Sequence, residues 1–350
     1  MLKREKKPAG LRALADLATP MAVRVAATLR VADHVAAGRR TAAEIAAAIG
    51  AHPDALDRLL RHLVVIGLFD RDRRGEYTAT ELGGQLREDH PAGKRKWLDM
   101  AGAIGRGDLS FVELEHSVLT GEPAYPVRYG AQFWADLAAD PALSASFDAM
   151  MQHHIELDHR SIADAYDWAA IECVVDVGGG SGGLLSVLLA RHANLRGTLV
   201  EMPGPAAAAR LRFAEQGQSS RTEVVTGSFF DPLPTGADAY VLSAVIHDWQ
   251  DEQAIRILRR CAEAAGEKSR VLVIEAIGAD GESPDTGMDL RMLAYYGGKE
   301  RGLAELRGLA GEAGLAVRGV SPIRQGSFIS IIELGASGDK RANTKTSEGA

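Results

Sequence analysis

Apolar residues follow two different patterns along this chain. As far as about residue 170 they recur every three or four positions, which predicts helices that pack by one face. From Cys173 onward, short apolar runs alternate with helical patterns. This alternation predicts an α/β, doubly wound, mostly parallel sheet with helices on both faces and between the first six strands. The predicted strands are CVVDVG, GTLVEM, RTEVVTGS, AYVLSAVI, RVLVIEAI and two late segments near LAVRGVSPI and FISIIEL. A short turn separates the last two, so we expect an antiparallel pair at the sheet edge.

The N-terminal part predicts a helix–turn–helix followed by a β-hairpin. Thr41 and Glu44 have the spacing of a capping box, and Gly50 ends the helix that they start. A second helix is predicted from Pro53 to about Ile66, and LFDRD-RRG-EYTAT then reads as a hairpin. Helix–turn–helix and hairpin together give the outline of a winged-helix module.

That outline raises the alternative of a DNA-binding regulator, whose second helix would present side chains to base edges. The second helix and the hairpin carry several basic residues, which are Arg58, Arg61, His62, Arg71, Arg73 and Arg74. Asp54 and Asp57 lie among them, so a solvated charged surface explains the pattern equally simply. The formal net charge of -7 also argues against general nucleic-acid affinity.

The composition is that of a globular protein in a reducing compartment. The chain has 350 residues, of which 46% are hydrophobic and 25% charged, so it can bury a sizeable core. Its two cysteines, Cys173 and Cys261, stand in apolar contexts, which argues against a disulfide framework. No secretory leader and no apolar run of membrane-spanning length is present. We therefore expect a cytoplasmic protein without a membrane partner.

A run of glycines, Gly178 to Gly183, separates the first predicted strand of the sheet from the helix after it. Glycine allows a tight turn and lets a ligand approach the backbone, and the helix start offers free N–H groups. Gly178, Gly180 and Gly183 fit the spacing of a dinucleotide site, with Glu201 at the end of the next strand. The pattern VVDVGGGSGG, with Asp176 inside the strand, more closely resembles the first motif of S-adenosylmethionine (SAM) dependent methyltransferases.

Further polar and aromatic side chains stand at the ends of the later strands, where ligands of doubly wound sheets bind. Ser228 and Phe229 end the third strand, and His247 ends the fourth. A histidine that titrates near neutral pH at such an edge suits a general base. Glu275 ends the fifth strand, and a carboxylate there would orient the imidazole.

These motifs together resemble the small-molecule O-methyltransferases of plants and antibiotic pathways. VVDVGGGSG, Glu201, GSFFDPLP, HDWQDE and GGKER occur in the family's order over about residues 11–335. The resemblance implies a SAM-dependent enzyme in which His247 removes a phenolic proton while Glu275 and Glu300 flank it. It also implies a homodimer. The residues implied to hold SAM are Asp176, Gly178, Gly180, Glu201, Gly227, Ser228, Phe229 and Ser243.

Two positions depart from the family's pattern. The family often has aspartate where this chain has Ser228, so adenine recognition would rest on the backbone and on stacking. It often has lysine at Ser243, so the contact with the methionine end would be weaker or water-mediated. No metal is implied: His153, His154 and His159 are not paired on one helix face with an acidic third ligand.

Some stretches resemble, more narrowly, the bacterial hydroxy-naphthoate O-methyltransferases of enediyne and azinomycin-type pathways. These are LRALADLATPMAVRVAATLRVADH, AGKRKWLDM, PAYPVRYG and GMDLRML followed by GGKER. The resemblance implies a bicyclic hydroxylated aromatic acid as substrate. Its carboxylate wants an arginine fork, for which we take Arg12 first, with Arg24 and Arg291 as alternatives. Candidate pocket walls are Phe147, Met151, His154, Met288 and Tyr295, although helical spacing of apolar residues is also typical of core.

The resemblance divides the chain into four parts. Residues 1–95 would form the helical, winged-helix-like dimerisation domain and 96–168 a helical linker with part of the substrate pocket. Residues 169–335 would form the SAM-binding domain, and 336–350 a disordered tail. Two alternatives remain open: a SAM-binding homologue with hydroxylase-like or decarboxylase-like chemistry, and a regulator that only senses its ligand.

Overall fold

The computed structural model describes residues 10–280, 283 and 285–337, without the side chains of 152–158. The chain divides into two compact units, Met1–Leu109 and Ser110–Ala350. The finer four-part division stays a prediction, and most of the predicted tail, 338–350, lies outside the described residues.

The first unit is helical apart from one small hairpin. Its elements are α1 Leu11–Leu14, α2 Ala18–Thr28, α3 Val31–Ala36, α4 Ala42–Ile49, α5 Pro53–Val65, β1 Phe69–Arg71, β2 Tyr77–Ala79, α6 Glu81–Gly84, α7 Lys94–Leu98 and α8 Ala103–Leu109. The capping box is present: Thr41 Oγ1 accepts from the Glu44 amide, and the Glu44 carboxylate accepts from the Thr41 amide at 2.9 Å. The predicted helix pair and hairpin are therefore confirmed, while the winged-helix interpretation stays a prediction.

Three of the six basic residues of α5 and the hairpin lie in ion pairs with acidic neighbours. Arg58 lies 2.9 Å from Asp54, and Arg61 lies 3.0 Å from Asp57. Arg71 lies 3.7 Å from the same Asp57 carboxylate. This arrangement favours a solvated charged surface over a surface that offers free cations to phosphates.

The second unit begins with helices and continues as an α/β domain. Its elements are α9 Leu114–Thr120, α10 Ala124–Tyr129, α11 Phe133–Ala139, α12 Pro141–Ala165, β3 Cys173–Val177, α13 Gly183–Arg191, β4 Arg196–Glu201, α14 Pro203–Glu215, β5 Thr222–Thr226, β6 Ala239–Ser243, α15 Asp251–Ala265, β7 Arg270–Ala276, α16 Thr286–Tyr296, α17 Leu303–Glu312, β8 Leu315–Pro322 and β9 Ile329–Ala336. The sheet order is β5-β4-β3-β6-β7-β9-β8, with β9 antiparallel to both neighbours. The predicted doubly wound sheet and its antiparallel edge are confirmed.

One predicted feature of the sheet is wrong. No helix connects β5 to β6, and residues 227–238 form an irregular crossover instead. Pro232, Pro234 and Gly236 stand in this short stretch, and prolines remove the backbone donors that a helix needs. The crossover thus leaves Ser228 and Phe229 on a loop at the carboxyl end of β5.

The order of the strands creates the place for a ligand. From β3 the chain moves outward on one side to β4 and β5, and then returns to β6 on the other side. The carboxyl ends of β3 and β6 therefore border a crevice at the switch point, where ligands of such folds bind. Buried apolar residues on both faces of the sheet fix these strand ends. Of the helices in the described part of the chain, none is long and apolar enough to span a membrane.

Candidate active site

The glycine turn after β3 has backbone angles that only glycine adopts without strain. Gly178, Gly180 and Gly182 have φ of +72°, +58° and +74°, a region that side chains disfavour. A Cβ on Gly178 would lie 3.2 Å from the Phe229 ring, and one on Gly179 would lie 2.2 Å from the Asp176 carboxylate. The turn is therefore packed closely against both side chains.

Two carboxylates, Asp176 and Glu201, stand at this turn and differ in their hydrogen bonding. Asp176 is 2% exposed, and neither of its oxygens has a hydrogen-bond partner among the described residues. Burial, and after it the charge of Glu201, raise the pKa of Asp176 to about 7. Glu201 accepts the Gly180 amide at 2.9 Å and the Met202 amide at 2.6 Å. Its pKa is also raised, chiefly by burial.

The other residues predicted to hold a cofactor surround this turn. The amide of Gly227 donates to the Glu201 carbonyl at 3.0 Å, and the Phe229 ring covers Gly178. Ser228 Oγ accepts the Phe230 amide at 3.2 Å, so its hydroxyl shapes the loop. Ser243 is the last residue of β6.

His247 stands on a tight turn that a buried carboxylate organises. Ala244, directly after β6, has φ of +52°, which is rare for a residue with a Cβ. The amides of the next three residues then point at one oxygen: Glu275 Oε1 accepts from Val245 at 3.1 Å, Ile246 at 2.8 Å and His247 at 3.4 Å. Such a cluster of amides is a nest for an anion. Glu275 thus holds the backbone of the turn as well as facing the imidazole.

Three carboxylates surround the His247 imidazole. Nδ1 lies 3.0 Å from Glu300 Oε1 and 3.6 Å from Glu275 Oε2, and Nε2 lies 3.5 Å from Asp248 Oδ1. Burial by itself would lower the pKa of His247, but the Glu275 and Asp248 charges and the hydrogen bond to Glu300 outweigh it and raise the pKa to about 10. Burial likewise raises the pKa of Asp248 to about 7, against the pull of His247.

Arg301 holds the turn from the other side. Its guanidinium is 5% exposed and donates to the carbonyls of Ile246 at 3.0 Å and Trp249 at 2.7 Å, as well as to Asp251 at 2.7 Å. Gly298 lies against the same turn, since a Cβ there would be 2.1 Å from the His247 carbonyl oxygen. The segment that follows α16 is therefore locked onto the backbone that carries His247.

Aromatic side chains from α11, α12 and α16 pack together in the same unit. Phe133 stacks on Tyr295 at 5.8 Å, and Trp134 stacks on Tyr296 at 5.2 Å. Phe147 meets Trp134 edge-on at 5.3 Å. The indole Nε1 of Trp134 is buried and has no hydrogen-bond partner within the described part of the chain. Burial and then the Asp248 charge raise the pKa of Tyr296 well above its usual value, so this cluster adjoins the turn that carries His247.

The structure thus brings most of the predicted site residues to one end of the sheet. Met151 and Met288 are half-buried on α12 and α16. The side chain of His154 lies outside the described residues. Arg12 is exposed on α1, and Arg24 forms an ion pair with the buried Asp108 inside the first unit.

Two family models match the chain. The O-methyltransferase domain matches residues 111–316, and the O-methyltransferase dimerisation domain matches residues 11–88. The chain belongs to the O-methyltransferase family.

Relatives of this O-methyltransferase match it over nearly its whole length. It is 68% identical to the 2,7-dihydroxy-5-methyl-1-naphthoate 7-O-methyltransferase of Streptomyces carzinostaticus, over 93% of this chain and 97% of that protein. It is 48% identical to the aclacinomycin 10-hydroxylase of Streptomyces purpurascens, over 88% of this chain and 84% of that protein. A solved O-methyltransferase from neocarzinostatin biosynthesis, in complex with SAM and 2-hydroxy-5-methyl naphthoic acid, is 67% identical, with a TM-score of 0.91, over 95% of this chain and 100% of that chain.

Sequence reasoning missed several residues of this O-methyltransferase site. Asp248 and Arg301 stand inside the motifs HDWQDE and GGKER, yet only the neighbours His247 and Glu300 were assigned roles. A charged residue beside an assigned residue in a tight turn was the available signal. Trp134 carried no such signal, because an aromatic residue at helical spacing looks the same in a core and in a pocket.

Because Asp176 is buried without a hydrogen-bond partner among the described residues, we predict that replacing its carboxyl group by an amide stabilises the ligand-free protein. Because its pKa is near 7 in the folded chain against an ordinary 3.8, its contribution to stability falls as pH rises from about 3.8 to about 7. Asp176→Asn should therefore raise the free energy of unfolding at pH 8 by roughly 2–4 kcal/mol. Near pH 4 the change should have little effect. Thermal unfolding at both values checks this.

The control for Asp176→Asn is Asp238→Asn. Asp238 Oδ2 accepts the amides of Glu172 and Cys173, both at 2.9 Å, so the same substitution there offers no comparable gain. A melting temperature of Asp176→Asn at pH 8 that equals or falls below that of the unchanged protein would contradict the prediction.

The hydrogen bonds of the Arg301 guanidinium predict that a lysine at this position lowers the catalytic rate, although it retains the positive charge. A lysine retains the charge but lacks the planar fork that donates to two carbonyls and Asp251. We expect Arg301→Lys to lower kcat for methyl transfer by roughly 10- to 100-fold through misplacement of His247, with a smaller change in KM. Steady-state kinetics and circular dichroism check this. Arg307→Lys, on the exposed side of α17, is the control, and equal kcat values for the two variants would contradict the prediction.

Proposed function

We propose that the chain is a SAM-dependent O-methyltransferase that methylates a phenolic hydroxyl of a hydroxylated naphthoic acid in antibiotic biosynthesis. One geometric observation carries the proposal: His247 stands among buried carboxylates at the sheet edge that also holds the glycine turn. The 68% identity to a naphthoate 7-O-methyltransferase supports the choice of substrate class. The dimerisation domain over residues 11–88 supports a homodimer.

The residues at the glycine turn fit SAM. Asp176 has two buried oxygens without a donor among the residues described, and a ligand that brings an ammonium or hydroxyl group would satisfy them. Glu201 would accept from the ribose hydroxyls, Phe229 would face the adenine, and Ser228 and Ser243 would adjoin the two ends of the cofactor. When bound, SAM supplies a methyl group on a positively charged sulfur that is a good leaving group.

His247 would act as the general base for the phenol. A phenol has a pKa of about 10, and the carboxylates raise the pKa of His247 to about 10. Because a ring with that pKa is protonated on both nitrogens at neutral pH, His247 would serve as base in the form that has lost the Nε2 proton. Proton transfer from the phenol to that form would be nearly balanced in free energy and would accompany attack of the oxygen on the methyl carbon. Nδ1 keeps its hydrogen bond to Glu300 at 3.0 Å, which fixes the ring. Asp248, 3.5 Å from Nε2, offers the next position for the proton.

The aromatic cluster would hold the flat ring of the acceptor. Phe147, Met151, Met288 and Tyr295 offer apolar and thioether contacts, which suit a naphthalene. The buried indole N–H of Trp134 would donate a hydrogen bond to a polar substituent of the ring. His154 stays a predicted member of this wall.

A non-methylating function is the second candidate, because the chain is 48% identical to a hydroxylase. His247 lies next to Glu275 and Glu300, and this arrangement argues for methyl transfer. A relative that does not catalyse that reaction needs no base to deprotonate a phenol. Product analysis distinguishes the two, because one reaction adds a methyl group to the acceptor and the other adds oxygen.

His247→Ala should abolish most turnover without loss of SAM. Removal of a general base lowers kcat by about 10²- to 10⁴-fold, whereas the glycine turn and Glu201 stay intact. The assay is incubation with SAM and a panel of hydroxy-naphthoic acids, read by mass spectrometry, with SAM affinity from calorimetry. His116→Ala, on α9, is the matched control. An unchanged rate for His247→Ala would remove the histidine from the role of base.

Arg12→Ala should weaken binding of the acid selectively. If the Arg12 guanidinium pairs with the substrate carboxylate, its loss raises KM for the naphthoic acid by roughly tenfold or more. KM for the decarboxylated naphthol should change little. Arg12→Lys retains the charge, so its KM for the naphthoic acid should lie between those of the unaltered protein and Arg12→Ala. Equal increases in KM for acid and naphthol would exclude Arg12 from the carboxylate site.

A further inference from the structure

The two carboxylates on the Nδ1 side of His247 each have one oxygen that receives no hydrogen bond. Glu275 Oε1 accepts three backbone amides and Glu300 Oε1 meets Nδ1, but Oε2 of each residue has no hydrogen-bond partner in the described chain. The two residues are 6% and 5% exposed. A buried carboxylate oxygen without a donor is costly, so this arrangement calls for two further donors.

A small cavity is bordered by these two glutamates. Its volume is about 10 Å³, and its lining includes His247, Glu275, Ile277, Glu300 and Leu306. A space of this size holds about one water molecule, which needs at least two polar partners. The number of unsatisfied acceptors equals the number of O–H donors on one water.

The cations that also line the cavity are already engaged. Lys299 forms an ion pair with Glu305. Arg301 donates to backbone carbonyls and to Asp251, not to either glutamate. Within the described residues no cluster of acidic, histidine or cysteine side chains suits a metal ion. A small neutral donor therefore fits the site best.

We propose that this cavity binds one water molecule, which donates to Glu275 Oε2 and Glu300 Oε2 and thereby fixes the Nδ1–H tautomer of His247. The proposal rests on the proposed function for its consequence, since His247 serves as base only through an unprotonated Nε2. The occupant is water, and its two O–H groups complete the hydrogen bonds of both carboxylates.

The tautomer depends on these two hydrogen bonds for an electrostatic reason. Two buried like charges favour sharing a proton unless donors stabilise both anions. A proton on Glu300 would let that carboxyl donate to Nδ1, and the ring would then carry its own hydrogen on Nε2. Asp248 faces Nε2 at 3.5 Å. With the water donating to both Oε2 atoms, Glu300 Oε1 stays the acceptor for Nδ1–H at 3.0 Å, so Nδ1 remains the donor.

The direct test is a crystal structure of the unaltered protein at a resolution that defines ordered waters. We expect one water within hydrogen-bond distance, about 3 Å, of both Oε2 atoms. A dry cavity, or a water that does not contact both carboxylates, would overturn the proposal. This observation is independent of catalysis, so it is decided even if no hydroxy-naphthoic acid is methylated and the proposed function fails.

The second test fills the cavity. Ile277 follows Glu275 by two positions along an extended segment and so projects to the same side. Ile277→Phe should expel the water, whereas Ile277→Leu conserves the volume and serves as the control. The ¹⁵N shifts of His247, in the complex with S-adenosylhomocysteine and over its titration range, report which nitrogen is protonated.

In the neutral ring, which forms above the His247 pKa of about 10, we expect the Nδ1–H tautomer in the unaltered protein and in Ile277→Leu. We expect a shift toward Nε2–H in Ile277→Phe. With the wrong tautomer, kcat should fall by at least roughly tenfold while the SAM dissociation constant stays unchanged. The same tautomer in all three proteins would overturn the role assigned to the water. If Ile277→Phe does not fold, the crystal structure and the tautomer of the unaltered protein still decide the proposal.

Discussion

The site depends on one buried oxygen that accepts three backbone amides. Glu275 Oε1 holds the amides of Val245, Ile246 and His247, and without it three buried donors would lose their partner. The bend at Ala244, with φ of +52°, is tolerated because this interaction determines the path of the chain. The position of the imidazole follows from the end of β7, so the sheet itself is the template for the reactive group.

The local sequence predicted the sheet because each of its strands is a short apolar run. It also pointed to His247 and Glu275, because the carboxyl ends of neighbouring strands meet in space, whereas Glu300 came from the family resemblance. The connection between β5 and β6 was predicted wrongly: Pro232 and Pro234 interrupt a stretch that alternation alone would make helical.

The remaining features depend on contacts between residues that are far apart in the sequence, and residue spacing does not reveal such contacts. The amides that Glu275 gathers lie about thirty residues before it in the chain, and the carbonyls that Arg301 binds lie about fifty residues before it. Hydrogen bonds between a side chain and a distant backbone leave no periodic trace in the sequence. The same holds for Asp248, which reads as a polar neighbour of His247 until the fold buries it.

The carboxyl of Asp176, which has no hydrogen-bond partner among the described residues, couples ligand binding to the release of a proton. With a pKa near 7 in the ligand-free state, this group is about half protonated at neutral pH. A cationic ligand in contact with it favours the anion, so binding releases a proton. Affinity for such a ligand then rises with pH through this range, and the measured enthalpy of binding depends on the buffer that takes up the proton. The pH of the solution therefore helps to determine what fraction of the protein has ligand bound at this site.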